Sequence, residues 1–211
     1  MIFFKAHPDS KPKDGIVSKY INRYFSSLFT KIIIKKNIHP NKITLIFLIL
    51  FSFFLILSGI LRSIFLTGFF YQLASICDGI DGEIARKKNL QSEGGALLDT
   101  VSDYIVDSIA AFSLCYSLSK YNFNNFLILF ITSFTIMTRL ITQFIVKNTK
   151  GFKRHILRDT RDLIVFIIFI FSILTEIFKN PYIMFYGLIF INIWRWDNGI
   201  YRLYCFIKKN S

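Results

Sequence analysis

Four aspartates fall into two pairs whose spacing could bring their carboxylates together. Asp78 and Asp81 are three residues apart, and Asp99 and Asp103 are four residues apart. Residues at these separations lie on one face of a helix. The short connection 87–94 would allow two such helices to run antiparallel as neighbours. The spacing therefore predicts that the four carboxylates converge.

Such a cluster has a definite chemistry, because four negative charges in a partly dry site repel one another unless cations compensate them. Carboxylate oxygens suit Mg²⁺, Mn²⁺ or Ca²⁺, and Mg²⁺ is commonly held by a few carboxylates together with substrate phosphates. Gly82 and Gly95 leave the backbone bare where a nucleotide could touch it. Arg86 supplies a guanidinium fork for a phosphate or a carboxylate.

The elements that position these residues belong to a membrane protein. Of 211 residues, 53% are hydrophobic, and 25 are Phe, which is more apolar material than a soluble domain of this length can bury. This material falls into blocks that could cross a bilayer if their helices continue beyond the apolar part. We predict an all-α membrane protein with six transmembrane helices, built on the blocks 43–61, 63–77, 104–119, 126–138, 163–175 and 181–194.

The N-terminal segment has another pattern. From Gly15 to Lys36, apolar and polar residues recur at helical spacing on opposite faces, until His39-Pro40-Asn41 interrupts them. The pattern is typical of an amphipathic helix in the membrane interface and argues against a nucleic-acid partner, since its apolar face is continuous. We therefore divide the chain into a cytoplasmic or interfacial segment, 1–42, and a six-span domain, 43–211.

The distribution of charge predicts the orientation. The formal net charge is +13, and basic residues concentrate in the N-terminal segment, at 86–88 and at 147–161. Because Lys and Arg accumulate on the cytoplasmic side of membrane proteins, we expect a multi-pass protein of the cell membrane whose aspartates face the cytoplasm.

Residues 78–103 resemble the signature of the CDP-alcohol phosphatidyltransferases, DxxDGxxAR, eight residues, GxxxDxxxD, and match every fixed position. The resemblance implies that Asp78, Asp81, Asp99 and Asp103 bind two divalent ions, Mg²⁺ or Mn²⁺. It further implies that Asp103 is the general base, that CMP leaves from a CDP-alcohol donor, and that the protein is a homodimer in contact with membrane lipids.

The same resemblance implies a nucleotide site. Gly82, Ala85 and Gly95 would line the cytidine nucleotide, and Arg86 would steady the site. The entry to the first span, with Asn41 and Thr44, is also similar to the family and would place two polar side chains near the nucleotide.

An upstream stretch narrows the resemblance. Asp14-Gly15-Ile16-Val17-Ser18-Lys19, followed by Asn22-Arg23, looks like the branch that makes di-inositol phosphate compounds, the di-myo-inositol phosphate phosphate synthase-like enzymes. We expect a role in phospholipid or inositol-phosphate biosynthesis. The acceptor stays open between a lipid hydroxyl and a polyol phosphate.

Candidate acceptor residues follow from position. Asp107 lies one turn beyond Asp103 and could contact the acceptor or pair with Arg139. The basic loop 147–161 could be a topology signal or a phosphate site, and both can hold. Arginine forks suit phosphate, so the phosphate-binding candidates are Arg139, Arg154, Arg158 and Arg161.

One alternative function uses the same aspartates. Acidic residues within spans could form a cation pathway, as in a divalent-cation transporter or channel. The carboxylates here gather near one face and not along a path through the membrane. This placement, together with the two glycines, favours the enzyme.

Overall fold

The described part of the chain contains helices and no strand in the computed structural model, which describes residues 6–8, 10, 14–36, 38–121, 123–148 and 161–210. A π-helical turn, Ser18–Asn22, leads into α1, Arg23–Ile33. A 3-10 turn, Ser119–Tyr121, follows α4. The longer helices are α2 (Pro40–Ile60), α3 (Ile64–Lys87), α4 (Glu93–Leu118), α5 (Asn125–Asn148), α6 (Arg161–Phe178) and α7 (Tyr182–Asn210). The all-α prediction is confirmed.

Polar side chains define where the helices around the aspartates begin. Pro40 can open α2 because the first helical position needs no N–H donor, and the His39 imidazole accepts a hydrogen bond from the Asn41 N–H at 3.3 Å. The Ser63 hydroxyl caps α3, and the Ser92 hydroxyl caps α4 by accepting from the Gly95 N–H at 3.0 Å. The second cap fixes the first turn of α4, just ahead of its two motif aspartates.

Helix α3 is the centre of the fold and packs against α1, α2, α4 and α6. Small residues let its neighbours come close. A Cβ added to Gly68 would collide with the Ser172 side chain of α6, and one added to Gly59 of α2 would lie 3.1 Å from the Cβ of Ser113 on α4. The crossing at Gly68 holds α6 close along α3, and the start of α6 lies at the aspartate end of α3, where Arg161 contacts Asp78.

The N-terminal helix is shorter than the predicted Gly15–Lys36 and is oriented by its polar face. Asn22 donates to the Ser75 hydroxyl at 3.2 Å and accepts from the Gln72 amide at 3.1 Å. Buried polar side chains of α1 continue this contact along α3, whereas its apolar side chains are exposed, at Phe25, Leu28, Phe29 and Ile32. The polar face therefore packs against protein, and the apolar face is the exposed one.

The helices differ in how strongly their composition favours membrane insertion. By length and hydropathy, α2 is the one helix of the described residues that qualifies to cross a bilayer. Exposed large apolar side chains also lie on the other long helices, for example Phe112, Phe130 and Phe190. Polar groups lower the mean hydropathy of α3 and α4. The count of six spans and the interfacial position of α1 stay predictions.

Candidate active site

The motif aspartates border two adjoining cavities where α2, α3 and α4 meet. The larger cavity, of about 600 Å³, is lined by Asp78, Asp81 and Asp99. The smaller, of about 30 Å³, is lined by Asp78, Asp81 and Asp103. Because Asp78 and Asp81 face both cavities, the fold brings the two predicted pairs to one region.

Asp81 is held in place by two donors. Its side chain is buried, and the residue is 8% exposed. One carboxylate oxygen accepts a hydrogen bond from the Thr44 hydroxyl, and the other accepts from the Gly82 N–H at 2.5 Å. Thr44, one turn into α2, thus contacts an aspartate of the motif directly. This contact fixes the position of Asp81 between the two cavities.

The residues predicted to bind a nucleotide line the larger cavity: Asn41, Thr44, Gly82, Ala85, Arg86 and Gly95. The two glycines make room in its wall. A Cβ on Gly95 would lie 3.0 Å from the Asn41 side-chain oxygen, and a Cβ on Gly82 would lie 3.2 Å from a nitrogen of the Arg86 guanidinium. The cavity combines bare backbone with amide, hydroxyl and guanidinium groups, among them Asn41, Thr44 and Arg86, which suit a nucleotide.

Arg161, at the start of α6, lies between three carboxylates. Its Nη1 is 2.7 Å from Asp103 and 3.2 Å from Asp78, and its Nε donates to Asp107 at 2.9 Å. The Arg161 side chain is 11% exposed. A single buried guanidinium therefore balances part of the negative charge of the motif, and it belongs to a residue that we had predicted as a phosphate ligand.

The donor set suits a hard divalent cation, because every candidate ligand around the two cavities is a carboxylate oxygen. The described residues nevertheless contain no group of three His, Cys, Asp or Glu side chains arranged to hold an ion. The Arg161 guanidinium contacts Asp78 and Asp103 from the side of α6. The chemistry of the donor set therefore fits a divalent metal, and binding by Asp78 and Asp103 would require Arg161 to release their oxygens.

Of the residues predicted to bind the acceptor, the structure describes the side chains of some and not of others. Asp107 accepts hydrogen bonds from the Tyr71 hydroxyl at 2.8 Å and from Arg161. The Arg139 side chain, Arg154 and Arg158 lie outside the described residues. A third cavity, of about 320 Å³, has Asp107 in its wall and is largely apolar, with Tyr71, Tyr104, Ser108, Thr135 and Arg195 as its other polar lining.

An ion-pair cluster beside the motif was not predicted. Two of its residues, Asp14 and Arg23, belong to the upstream stretch that resembles the di-inositol phosphate branch. Glu83 of α3 is 1% exposed and accepts from Arg23 Nη1 at 2.8 Å, and Arg23 Nε donates to Asp14 at 3.2 Å. Burial lowers the pKa of Arg23, but the hydrogen bond to Glu83 and the two carboxylate charges outweigh it, so the pKa lies above its ordinary value. The polar stripe of α1 was the available signal, and we had interpreted it only as one face of an amphipathic helix in the membrane interface.

A sequence profile of the CDP-alcohol phosphatidyltransferase family matches residues 37–194, which is more than half of the chain. The chain belongs to this family. The match spans the complete aspartate motif and the helices α2 to α6 that enclose it. The predicted resemblance of residues 78–103 to this CDP-alcohol phosphatidyltransferase signature is confirmed.

Two individual relatives have more specific names, but each match covers only part of this chain and part of the relative. A protein of Archaeoglobus fulgidus is 40% identical over 94 residues, which cover 44% of this chain and 19% of that protein. A protein of Thermococcus kodakarensis is 37% identical over 106 residues, which cover 49% of this chain and 23% of that protein. Both are named bifunctional IPC transferase and DIPP synthase, the branch that the upstream segment resembles. The matches span about a fifth of the length of these relatives.

Solved structures share the fold of this family member. The phosphatidylinositol phosphate synthase of Mycobacterium tuberculosis with CDP-DAG bound has a TM-score of 0.72 at 15% identity, covering 87% of this chain and 94% of that chain. The same synthase in complex with manganese and citrate has a TM-score of 0.72 over 86% of this chain and 88% of that chain. This likeness establishes the helical arrangement of a membrane phosphatidyltransferase.

Proposed function

We propose that this chain transfers a phosphoryl-linked alcohol from a CDP-alcohol to an acceptor hydroxyl and releases CMP. The observation that carries the proposal is the placement of the motif. Its four aspartates border adjoining cavities, and the larger cavity has the bare backbone and the Arg86 guanidinium that a nucleotide diphosphate requires. Membership of the CDP-alcohol phosphatidyltransferase family supports the reaction class.

Divalent metal would be held by the carboxylates of Asp78, Asp81, Asp99 and Asp103, two ions of Mg²⁺ or Mn²⁺ in our proposal. Bound there, the ions supply positive charge to the donor diphosphate. The protein side chains do the remaining work. Thr44 holds Asp81 at the boundary of the two cavities, and Gly82 and Gly95 leave room for the nucleotide against the backbone.

The transfer is an in-line displacement at the donor phosphate next to the alcohol. The acceptor oxygen forms a bond to that phosphorus, the bond from phosphorus to the CMP oxygen breaks, and CMP leaves with the electron pair. Asp103 takes the proton of the acceptor hydroxyl. In this account Arg161 must turn away from the Asp103 carboxylate before that oxygen can accept the proton, because they are 2.7 Å apart.

The acceptor would approach from the third cavity, which has Asp107 in its wall, one turn beyond Asp103. Its polar lining can bind hydroxyl groups, and the Arg161 guanidinium beside Asp107 can bind a phosphate. Arg139, Arg154 and Arg158 remain candidate phosphate ligands of the same substrate. The names of the archaeal relatives favour an acceptor of the inositol-phosphate class over a simple lipid alcohol.

In the membrane, we propose six crossings with the N-terminal segment 1–42 in the cytoplasmic interface, followed by the catalytic domain 43–211. The basic residues at 86–88 and 147–161 would then lie on the cytoplasmic side with the aspartates. Exposed apolar side chains on α2, α4 and α7 would face membrane lipids or the second subunit of a homodimer.

The proposal is tested by CMP release from purified protein in detergent. A panel of CDP-alcohols and acceptors, with inositol phosphate, glycerol phosphate and lipid alcohols among them, is assayed with Mg²⁺ and with Mn²⁺. We expect metal-dependent CMP release with at least one pair of substrates. No release with any donor would contradict the proposal, and Mg²⁺ flux into proteoliposomes without consumption of a CDP-alcohol would favour the transporter.

Asp103→Asn is the matched variant for the base. The substitution keeps the size of the side chain and removes its proton-accepting charge, so we expect a folded protein with turnover reduced about 10²-fold or more. The control is Asp162→Asn, in the first turn of α6, because this carboxylate borders neither motif cavity. A normal rate for Asp103→Asn would refute the assignment of Asp103 as base.

A further inference from the structure

Glu83 is an unexpected residue in the motif helix because it is a fully buried carboxylate that faces away from the metal cavities. Three donors from the N-terminal segment surround it. Arg23 Nη1 and the Ser26 hydroxyl lie 2.8 Å and 2.7 Å from one carboxylate oxygen, and the Thr30 hydroxyl lies 2.8 Å from the other. A buried carboxylate is stable only when it is paired in this way.

Arg23 is also held by contacts on more than one side. Its Nε donates to Asp14, and its Nη1 lies 3.1 Å from where a Cβ on Gly79 would be. Arg23 therefore fills the space beside a motif residue that has no side chain. We call Asp14, Arg23 and Glu83 the N-terminal clamp. Two carboxylates neutralise the one guanidinium, so the clamp offers little positive charge to a substrate.

Both arginines line the larger cavity, but Arg86 differs from Arg23 in its partners. It lies three residues after Glu83 on the same helix and lines the larger cavity, with its guanidinium over Gly82. It forms no hydrogen bond or ion pair with the residues that the structure describes. Its fork is thus open to the cavity, where a diphosphate could accept hydrogen bonds from it.

The two arginines compete for Glu83. Glutamate and arginine three positions apart on a helix can pair, and the attraction is stronger for a buried carboxylate that lacks another cation. In the structure Glu83 is paired with Arg23, which belongs to a different helix. The arrangement keeps Arg86 out of an intrahelical ion pair.

We propose that Arg23 is a positioning residue for donor binding, which engages Glu83 and so leaves the Arg86 guanidinium open to the diphosphate of the donor. The inference rests on the proposed function, because it assigns the larger cavity to a cytidine nucleotide. It gives the N-terminal segment a second role besides membrane contact. A displaced α1 would release Glu83 to Arg86 and weaken donor binding.

The test measures CDP binding by isothermal titration calorimetry, with the full chain in detergent and Mg²⁺ present. In Arg23→Gln, Glu83 pairs with Arg86, and we expect CDP to bind about tenfold more weakly, the loss of one charge-assisted hydrogen bond. In the double variant Arg23→Gln, Glu83→Gln the Glu83 carboxylate is no longer present to capture Arg86. We expect its affinity to return to within about twofold of wild type.

Recovery of CDP affinity in the double variant distinguishes a positioning role of Arg23 from a purely structural one. If the clamp only holds α1 in place, the double variant binds CDP no better than Arg23→Gln, and that result overturns the inference. Arg23→Lys keeps a cation for Glu83 and should bind CDP nearly as wild type does. With a suitable donor, Arg23→Gln should raise KM while kcat stays close to the wild-type value.

Folding is checked by thermal unfolding of each variant. Should Arg23→Gln not fold, Glu83→Gln and the double variant decide the matter, since neither leaves the Glu83 carboxylate buried without a cation. Both should bind CDP within about twofold of wild type, and a tenfold loss in either overturns the inference. A wild-type chain that binds no CDP overturns the proposed function as well, whereas CDP binding that Arg23→Gln leaves unchanged overturns the inference alone.

Discussion

Replacing Arg161 by Gln should reveal how the aspartate cluster is held together before metal binds. Arg161 contacts Asp103 at 2.7 Å, Asp107 at 2.9 Å and Asp78 at 3.2 Å. Removing one member of a buried ion pair costs about 3 to 5 kcal/mol, because the remaining charge is left without a partner. The side chains here are 11% to 31% exposed, so we take the lower figure, about 3 kcal/mol.

The assay is thermal unfolding in detergent, first with EDTA and then with Mg²⁺. A loss of about 3 kcal/mol corresponds to a fall in Tm of about 6 to 12 °C for a domain of this size. Mg²⁺ should raise the Tm of Arg161→Gln more than that of wild type, since the ion then meets three carboxylates without a competing guanidinium.

The matched control is Arg62→Gln, because Arg62 is exposed, lies over the Tyr116 ring, and precedes the end of α3 opposite to Asp78 and Asp81. We expect its Tm to stay near that of wild type in both buffers. An Arg161→Gln protein with wild-type Tm in EDTA would refute the reasoning, as would an equal effect of Mg²⁺ on both proteins.

Two glycine substitutions test the close approaches around α3. Gly95→Ala places a Cβ 3.0 Å from the Asn41 side-chain oxygen in the larger cavity; CDP titration should show binding weakened about tenfold, by roughly 1.4 kcal/mol, and unchanged affinity would exclude a tight fit there. Gly68→Ala overlaps Ser172 on α6 and should destabilise the fold by about 1 to 3 kcal/mol without changing CDP affinity in the folded protein. Chemical denaturation measures this loss, which Ser172→Gly should partly restore, and failure of the restoration would place the strain elsewhere.

The convergence of the aspartates was predictable from local geometry. Spacings of three and four residues set the two faces, and the short connection 87–94 left little choice but an antiparallel pair of α3 and α4. The cavity lining by Gly82 and Gly95 followed from the same motif. Each of these features depends on residues that are close in sequence or lie on neighbouring helices.

The partners of Arg161 and Arg23 could not be predicted in the same way. Arg161 meets Asp107 across 54 positions, and Arg23 meets Glu83 across 60, so both contacts depend on how distant helices pack. Periodicity also distinguished the two faces of α1 without showing which face the protein would cover. In a water-soluble protein the polar face of such a helix would be exposed to solvent. Beside a membrane the apolar face can be exposed instead, and here the polar face contacts Glu83.

The central claim is that Asp78, Asp81, Asp99 and Asp103 share one site for divalent cations. Anomalous scattering from crystals of the full chain grown with Mn²⁺ and CDP tests it most directly. We expect manganese at about 2.0 to 2.5 Å from carboxylate oxygens of both aspartate pairs, with Arg161 turned away from Asp103. Manganese bound elsewhere, or absent while CDP occupies the larger cavity, would contradict the account.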